Sequence, residues 1–509
     1  MPTASSLITL LCSSHCSSHC SSHCRVLLVL GSVLISMADS AVAQETLKLN
    51  GLFQSGMVLQ QKQSAPVWGV TEAGAEVRVS GSWSKKSVST KADADGKWQV
   101  TIDTPEAGGP YQVAVRSGAM TKTLKNVLIG EVWICSGQSN MQWKMRGFGV
   151  KHWAADVAKA KKPNIRLCNI PQVLGLEGQD DVKATWQSCN PNTVLNFSAV
   201  AYFFGSQIHE KTGVPVGLIS TNWGGSSAEA WVSPEVLAKQ FPEFKTQSSR
   251  YAGWIKQTGV TYQAKNKPKT LNQRSPSVLY NAMIQPLVPF AFRGVIWYQG
   301  ESNVKQPEQY QTLFPAMIRN WRDKWGQGDF PFYYVQIAPF HYKTNPMSTA
   351  FLREAQTMAL SEPNTGMAVT MDVGDPTNIH PKLKKPVADR LARLALSRTY
   401  GMKGIVDVGP MFESSSVKGK TIELSFQGVG SGLTTNDGES PSHFMIAGSN
   451  RQFVKAEATI QGDKVVVTSE AIAKPVAVRY GWGSADMPNL SNQEGLPASS
   501  FRTDDWPIQ

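Results

Sequence analysis

The sequence predicts an α/β protein: a mostly parallel sheet with helices on both faces, flanked by β-sandwich-like regions. Three observations predict it. In the middle of the chain, apolar runs such as Gly294–Tyr298 alternate with amphipathic stretches such as Glu308–Arg322. Buried parallel strands read as unbroken apolar runs of this kind. Before about Lys125 and after about Gly404 the pattern shortens to alternating runs separated by turn residues, as β regions do. Four of the predicted α/β strands are also followed at once by small and polar residues, at the strand ends where open parallel sheets bind ligands.

The 509 residues exceed one typical core. Four segments are expected: a signal peptide over 1–43, a β-sandwich-like domain over 44–125, the α/β domain over 126–404 and a β-rich domain over 405–509. In the first, Arg25 precedes the apolar run Val26–Ile35, and small residues end at Ala41-Val42-Ala43. That is a basic region, an apolar core and a cleavage site. The core is too short for a comfortable membrane span. The mature chain is therefore expected to begin near Gln44, to lack a membrane span, and to be secreted or periplasmic. A tandem Cys/His repeat runs from Cys12 to Cys24. Its spacing suits a metal, but it falls in the removed segment, so no metal is expected.

Removal leaves Cys135, Cys168 and Cys189. An odd count in an oxidising compartment predicts one disulfide, Cys168–Cys189, and one buried thiol, Cys135. The chain holds 50 Lys and Arg against 38 Asp and Glu, a net charge of +12. No dense basic run and no nucleic-acid motif accompanies it, so the excess reads as a solvated basic surface without a nucleic-acid partner. Attraction to acidic glycans is the functional alternative.

In chain order, Val77–Val79 and Trp98–Ile102 read as strands, with turns at Asp93–Gly96 and Gly108–Pro110. Val150–Lys161 reads as a helix ending before Pro163. Ser198 caps a helix with Val200, Phe203, Phe204 and Ile208 on one face, and Gly213 ends it. Val216–Ser220 is a strand, and Lys239–Arg274 a polar excursion. Gly294–Tyr298 is a strand before the Glu308–Arg322 helix, which Pro315 is expected to kink. Phe332–Ile337 and Met367–Met371 are further strands, and Pro386 opens the last helix. Thr421–Phe426, Lys464–Val467 and Ala477–Tyr480 are strands of the C-terminal region.

The post-strand segments carry the chemistry. They are Gly137-Gln138-Ser139-Asn140, Asn222-Trp223-Gly224-Gly225-Ser226, Gln299-Gly300-Glu301-Ser302-Asn303, and Asp372-Val373-Gly374-Asp375 with His380. Ser139 follows a buried strand through a glycine turn, as an exposed nucleophile does. A serine needs a base, and His380 alone of the histidines lies in such a segment. A carboxylate should orient it, and Asp372 and Asp375 are near in sequence. Oxyanion donors are sought among the N–H groups of Ser139 and of Gly224 or Gly225, and the amides of Gln299 or Asn303. Together these specify acyl transfer, most simply ester hydrolysis.

Gly137–Met141, Trp297–Asn303 and Ile379-His380-Pro381 resemble the sialate O-acetylesterase family, within the SGNH (GDSL-type) hydrolases. Met57–Gln60, Tyr280–Ile284, Gly495–Pro497 and Phe501–Asp504 extend the resemblance over nearly the whole mature chain. It implies a flavodoxin-like SGNH hydrolase domain of three α/β/α layers. It further implies attack by Ser139 on an acetyl ester, activation by His380, Gly225 and Gln299 as oxyanion donors beside Ser139, and neither metal nor organic cofactor. The expected partner is an acetylated carbohydrate, either sialic acid or a hemicellulose-type glycan. One position departs from the pattern. SGNH enzymes place the orienting Asp three residues before the His, and here that residue is Thr377. The third member is therefore open: Asp375 first, Asp372 second, Glu301 third, or a backbone carbonyl. A glycan-binding protein with a degenerate site is the alternative from another class, and a hydrolase of long acyl chains a third reading.

Overall fold

One strand carries the architecture. The structure is a computed structural model that describes residues 46–244, 261–262, 269–343 and 347–507. The expected signal segment, the Cys/His repeat, the Cys12–Cys24 thiols and much of the Lys239–Arg274 excursion lie outside those residues. Glu45–Gln509 form one compact unit. Within it, strand β1 (Met120–Gly137) runs for 18 residues. Its first part pairs antiparallel with Gly108–Ser117 of the N-terminal region. Leu128–Gly130 pair with Val58–Gln60, and the last residues enter the central sheet. The boundary expected at residues 125–126 thus falls inside a continuous strand.

The central sheet adds β2 (Lys162–Asn169), β3 (Thr185–Cys189), β4 (Val216–Asn222), β5 (Gly294–Tyr298), β6 (Phe332–Val335) and β7 (Thr365–Ala368). The order is β3-β2-β4-β1-β5-β6-β7. Only β3 is antiparallel to its neighbour; the other pairs are parallel. Strand order reverses at β1, which makes its carboxyl end the topological switch point where such sheets bind ligands.

Five helices matter for the site: α1 (Ser139–Gln142), α2 (Ala199–Thr212), α3 (Pro307–Trp325), α4 (Ser348–Met358) and α5 (Lys384–Leu394). Alternate strand residues join different cores. Trp133, Cys135, Ile296 and Tyr298 pack with Val200 and Phe204 of α2 and Val387 and Leu391 of α5. Val132, Ile134, Val295 and Trp297 pack with Tyr310 and Phe314 of α3 and Leu352 and Ala355 of α4. Both faces of the strands are buried, which is why their sequences are apolar without alternation. Ser198 Oγ accepts from the Ala201 amide at 3.1 Å, and Gly213 closes α2 with a left-handed φ of 73°.

The structure departs from expectation at several elements. The helix expected over Val150–Lys161 is confined to Ala154–Ala158. Just beyond it, Lys162 already belongs to β2 and pairs with Cys189 of β3. Pro110 lies in the strand Gly108–Ser117 instead of a turn. The expected Cys168–Cys189 disulfide is not formed: Cys135, Cys168 and Cys189 are all free and buried. Cys168 faces the core with Ile219 and Trp186. Cys189 lies in the other core, with Ala160 and Phe203. The two thiols therefore point into opposite sides of the sheet. Among the described residues no helix is long and apolar enough to cross a membrane.

The C-terminal region holds two four-stranded antiparallel sheets. Buried Arg353 of α4 holds it, donating to the carbonyls of Gly481 (2.8 Å) and Gly483 (3.0 Å) and to Ser500 Oγ (3.1 Å). At the other end of the sheet Glu131 is 1 % exposed and accepts from Arg293 Nε at 2.7 Å and Nη2 at 3.1 Å. Gln61 Nε2 (2.6 Å), Tyr400 OH (3.1 Å) and Gln60 Nε2 (3.3 Å) also donate to it.

Breaking such a buried pair strands the remaining charge. Arg293→Ala should lower stability by about 3–5 kcal/mol in urea unfolding, and a loss under about 1 kcal/mol would contradict the account. Cys135, Cys168 and Cys189 should resist a thiol reagent in the native protein. All three should react in denaturant without reductant; two that needed reduction first would restore the disulfide.

Candidate active site

The last turn of β1 sets the geometry. Gly137 has a φ of 133°, and a Cβ there would meet the Tyr298 carbonyl oxygen of β5 at 2.2 Å. Only glycine allows this approach. The next amide, Gln138 N–H, then donates to that carbonyl at 2.9 Å. The Gln138 side chain is buried, and its Oε1 accepts from Gly300 and Ser302 N–H, both at 3.3 Å. The chain then turns into α1 at Ser139, which is partly exposed while Asn140 and Met141 are buried.

The β4 loop is tied to the same turn. Trp223 N–H donates to the Gly137 carbonyl at 3.0 Å, and Gly224 N–H to Gln142 Oε1 at 2.6 Å. A Cβ at Gly224 would lie 3.3 Å from Ser139 Cβ. Gly225 follows with a φ of 73°. Its carbonyl accepts from Arg274 Nε at 3.0 Å, and that guanidinium is exposed. Among the described residues, no hydrogen bond engages the N–H of Ser139 or of Gly225, or the Ser139 hydroxyl.

The β5 loop stands behind it. Gln299 is fully buried: Nε2 donates to Ser226 O (3.2 Å) and Asn303 Oδ1 (2.7 Å), and Oε1 accepts from Tyr310 OH (3.0 Å). Asn303 Oδ1 also accepts from Ala228 N–H at 3.0 Å, and its Nδ2 donates to Glu229 Oε2 at 3.1 Å. Burial pushes the Glu229 carboxyl above its ordinary value.

His380 arrives from the loop after β7. Its ring stacks on Trp143, with centroids 4.4 Å apart, and Trp143 stacks in turn on Phe148. The His380 backbone N–H donates to Asn378 Oδ1 at 2.9 Å. Asn140 Nδ2, one residue from the serine, donates to the carbonyl of Ile379, one residue from the histidine, at 3.1 Å. Burial and nearby Lys384 hold the His380 imidazole below its ordinary 6.5.

The structure therefore brings together Ser139, the Gly224–Gly225 turn, Gln299, Asn303 and the Ile379–His380 peptide. The carboxylates are engaged elsewhere. Asp372 takes a bidentate clasp from Arg390, at 2.7 and 2.6 Å. Asp375 Oδ1 accepts from Thr377 N–H (2.9 Å), Thr377 Oγ1 (2.8 Å) and Asn378 N–H (3.1 Å), which lower its carboxyl. Thr377 and Asn378 thus build the turn that meets the His380 amide. Glu301 Oε1 accepts from Asn140 Nδ2 at 2.5 Å.

Sequence reasoning missed two participants, Asn140 and Lys384. Lys384 Nζ donates to Asn140 Oδ1, and the lysine is completely buried. A signal was present: Lys384, Val387, Ala388 and Leu391 follow the spacing of one helical face, so the lysine belongs to the apolar stripe.

A nucleophile candidate at the switch point of a parallel sheet, beside a histidine loop and two N–H groups unpaired among the described residues, has the makings of an ester hydrolase. Comparison with known proteins defines that class. A family model described as carbohydrate esterase, sialic acid-specific acetylesterase, matches residues 129–396. Human sialate O-acetylesterase is 32 % identical over 426 residues, covering 76 % of this chain and 77 % of that protein. The mouse sialate O-acetylesterase is 31 % identical over 402 residues, covering 70 % and 74 %. The crystal structure of a carbohydrate acetylesterase from Xanthomonas citri matches at a TM-score of 0.80 and 37 % identity, covering 90 % of this chain and 100 % of that one. The chain is thus similar to carboxylic ester hydrolases along most of its length, and it is one. It belongs to the sialic acid-specific acetylesterase family of carbohydrate esterases. The alternative of a non-catalytic glycan-binding protein gives way to an enzyme.

Proposed function

We propose that the chain removes O-acetyl groups from acetylated sugars through an acetyl-Ser139 intermediate, on a flavodoxin-like three-layer α/β/α SGNH domain. The observation that carries this reading is the convergence of Ser139, Gly225 and the Ile379–His380 peptide at the carboxyl edge of β1, tied by Asn140 and Gln142. Ser139 Oγ attacks the acetyl carbon as His380 takes its proton. The oxyanion receives the Ser139 and Gly225 N–H groups, and Gln299 Nε2 joins them by exchanging its bond to Ser226 O. Asn303 steadies Gln299 and the segment after Gly225. Collapse expels the sugar oxygen, which takes the proton from His380. Water, deprotonated by His380, then attacks the acetyl-serine, and acetate leaves as the serine regains its proton.

Asp375 is the proposed third member. It builds the His380 turn with Oδ1, leaving Oδ2 to accept from the imidazole as it charges. The bidentate bond of Asp372 to Arg390 and the bond of Glu301 to Asn140 support Asp375 over either of them. The Arg274 guanidinium beside Gly225 favours an acidic sugar such as an acetylated sialic acid over a neutral hemicellulose. The expected signal segment implies that the enzyme works outside the cytoplasm.

Ser139→Ala should abolish acetate release from small acetyl esters while leaving thermal unfolding unchanged, and retained release would overturn the assignment. A base must be neutral to act, so activity falls as pH drops through the His380 pKa. Because that pKa is lowered, the acid limb of kcat/KM should lie below 6.5. Asp375→Asn should cut kcat by roughly 10–10⁴-fold, the upper bound being the loss on replacing the triad aspartate of a serine protease. Asp372→Asn should instead lower stability with kcat nearly intact; the reverse pattern would exchange their roles.

A further inference from the structure

The buried Lys384 is not used by the chemistry above. It is fully buried, and its Nζ donates to Asn140 Oδ1. The orientation of that amide is dictated by its partners. The Ile379 carbonyl can only accept, so Nδ2 faces it, at 3.1 Å. The same Nδ2 reaches Glu301 Oε1, an acceptor at 2.5 Å. Oδ1 is left for the lysine, which can only donate. Three partners on three elements thus hold one amide: α5, the β5 loop and the His380 loop. The amide belongs to the residue after Ser139.

We propose that Lys384 is a positioning residue of the esterase site, holding the Asn140 side chain so that the Ile379–His380 peptide stays pinned to the turn bearing Ser139. The assignment rests on Ser139 and His380 as nucleophile and base. An acyl transfer needs the two aligned within fractions of an ångström, and small misplacements cost large factors in rate. Without Lys384, Asn140 Oδ1 has no donor among the described residues, the amide can rotate, and the carbonyl before His380 loses its anchor.

The titratable groups facing Lys384 are Glu301, Tyr298 (ring centroid 5.6 Å from Nζ) and His380; Tyr342 faces Glu301 from the loop after β6. Burial pushes Lys384 down to about 7, opposed by Glu301. Burial likewise raises Glu301. Glu301 Oε2, Tyr298 OH and Tyr342 OH are buried without a hydrogen-bond partner among the described residues, so a change at Lys384 is poorly screened. The lysine charge also lowers His380. Removing it should therefore raise the His380 pKa, an effect that a purely structural lysine at a distance would not produce.

The test compares Lys384→Met, Asn140→Ala and the double variant with the parent and with Ser139→Ala, on a small acetyl ester. Lys384→Met should lower kcat at least about 10-fold with KM within about 3-fold, and move the acid limb of kcat/KM to higher pH. Asn140→Ala should lose a similar factor in kcat. The double variant should be no slower than Asn140→Ala alone, because the lysine acts through the amide. A parent-like kcat in Lys384→Met, or a fully multiplicative double loss, would overturn the positioning role while leaving the serine assignment intact if Ser139→Ala is inactive. Activity in Ser139→Ala would overturn both. Should Lys384→Met not fold, Asn140→Ala decides alone: a kcat within about 2-fold of the parent overturns the proposal.

Discussion

The site depends on how closely β1 and β5 approach at Gly137. With no side chain there, the Tyr298 carbonyl comes within hydrogen-bond reach of the Gln138 amide. That bond ends the parallel ladder and turns the chain, so that Ser139 emerges at the sheet edge. Gln138, buried beneath it, gathers the β5 loop through two backbone amides. A methyl group at residue 137 would separate the strands and displace the serine from both neighbouring loops. The rest of the site is assembled on this one contact, because the β4 loop bonds to the Gly137 carbonyl and to Gln142.

Around that fixed turn the molecule spends buried polarity unevenly. Glu131, Arg293 and Tyr400 form a satisfied network far from the site, and they resemble a structural clamp. Near the site, Glu301 Oε2 of the Asn140, Glu301 and Lys384 cluster, with Tyr298 OH and Tyr342 OH beside it, is buried without a hydrogen-bond partner among the described residues. Buried polar groups that are only partly satisfied raise the energetic stakes of every contact among them. A buried lysine, carboxylate and amide in mutual contact beside Ser139, with both ionisable groups shifted from their ordinary values, are what a functional site holds.

Much of this was legible in the sequence. The unbroken apolar runs of β1, β4 and β5 reported strands buried on both faces, and the polar residues after them reported a shared edge. What escaped had physical reasons. The stretch before Pro163 has a helical pattern, but only Ala154–Ala158 form a helix before the chain enters β2 at Lys162. The disulfide expectation rested on counting, and counting cannot see that Cys168 and Cys189 enter opposite cores. Proximity in sequence points to Asp375, but the hydrogen bonds by which its Oδ1 builds the turn before His380 are legible only in the structure. Lys384 was hidden because a lysine on an apolar stripe reads as a surface residue until its buried acceptor is known.

The central claim is that acetyl passes through Ser139. The most direct measurement is acid quenching of the enzyme during turnover of an acetyl ester, followed by mass spectrometry of the peptide that contains Gly137–Met141. The account predicts an acetyl group on Ser139, with none trapped in Ser139→Ala. Acetyl found on another residue, or turnover without any covalent acetyl-enzyme in a burst-phase experiment, would contradict it.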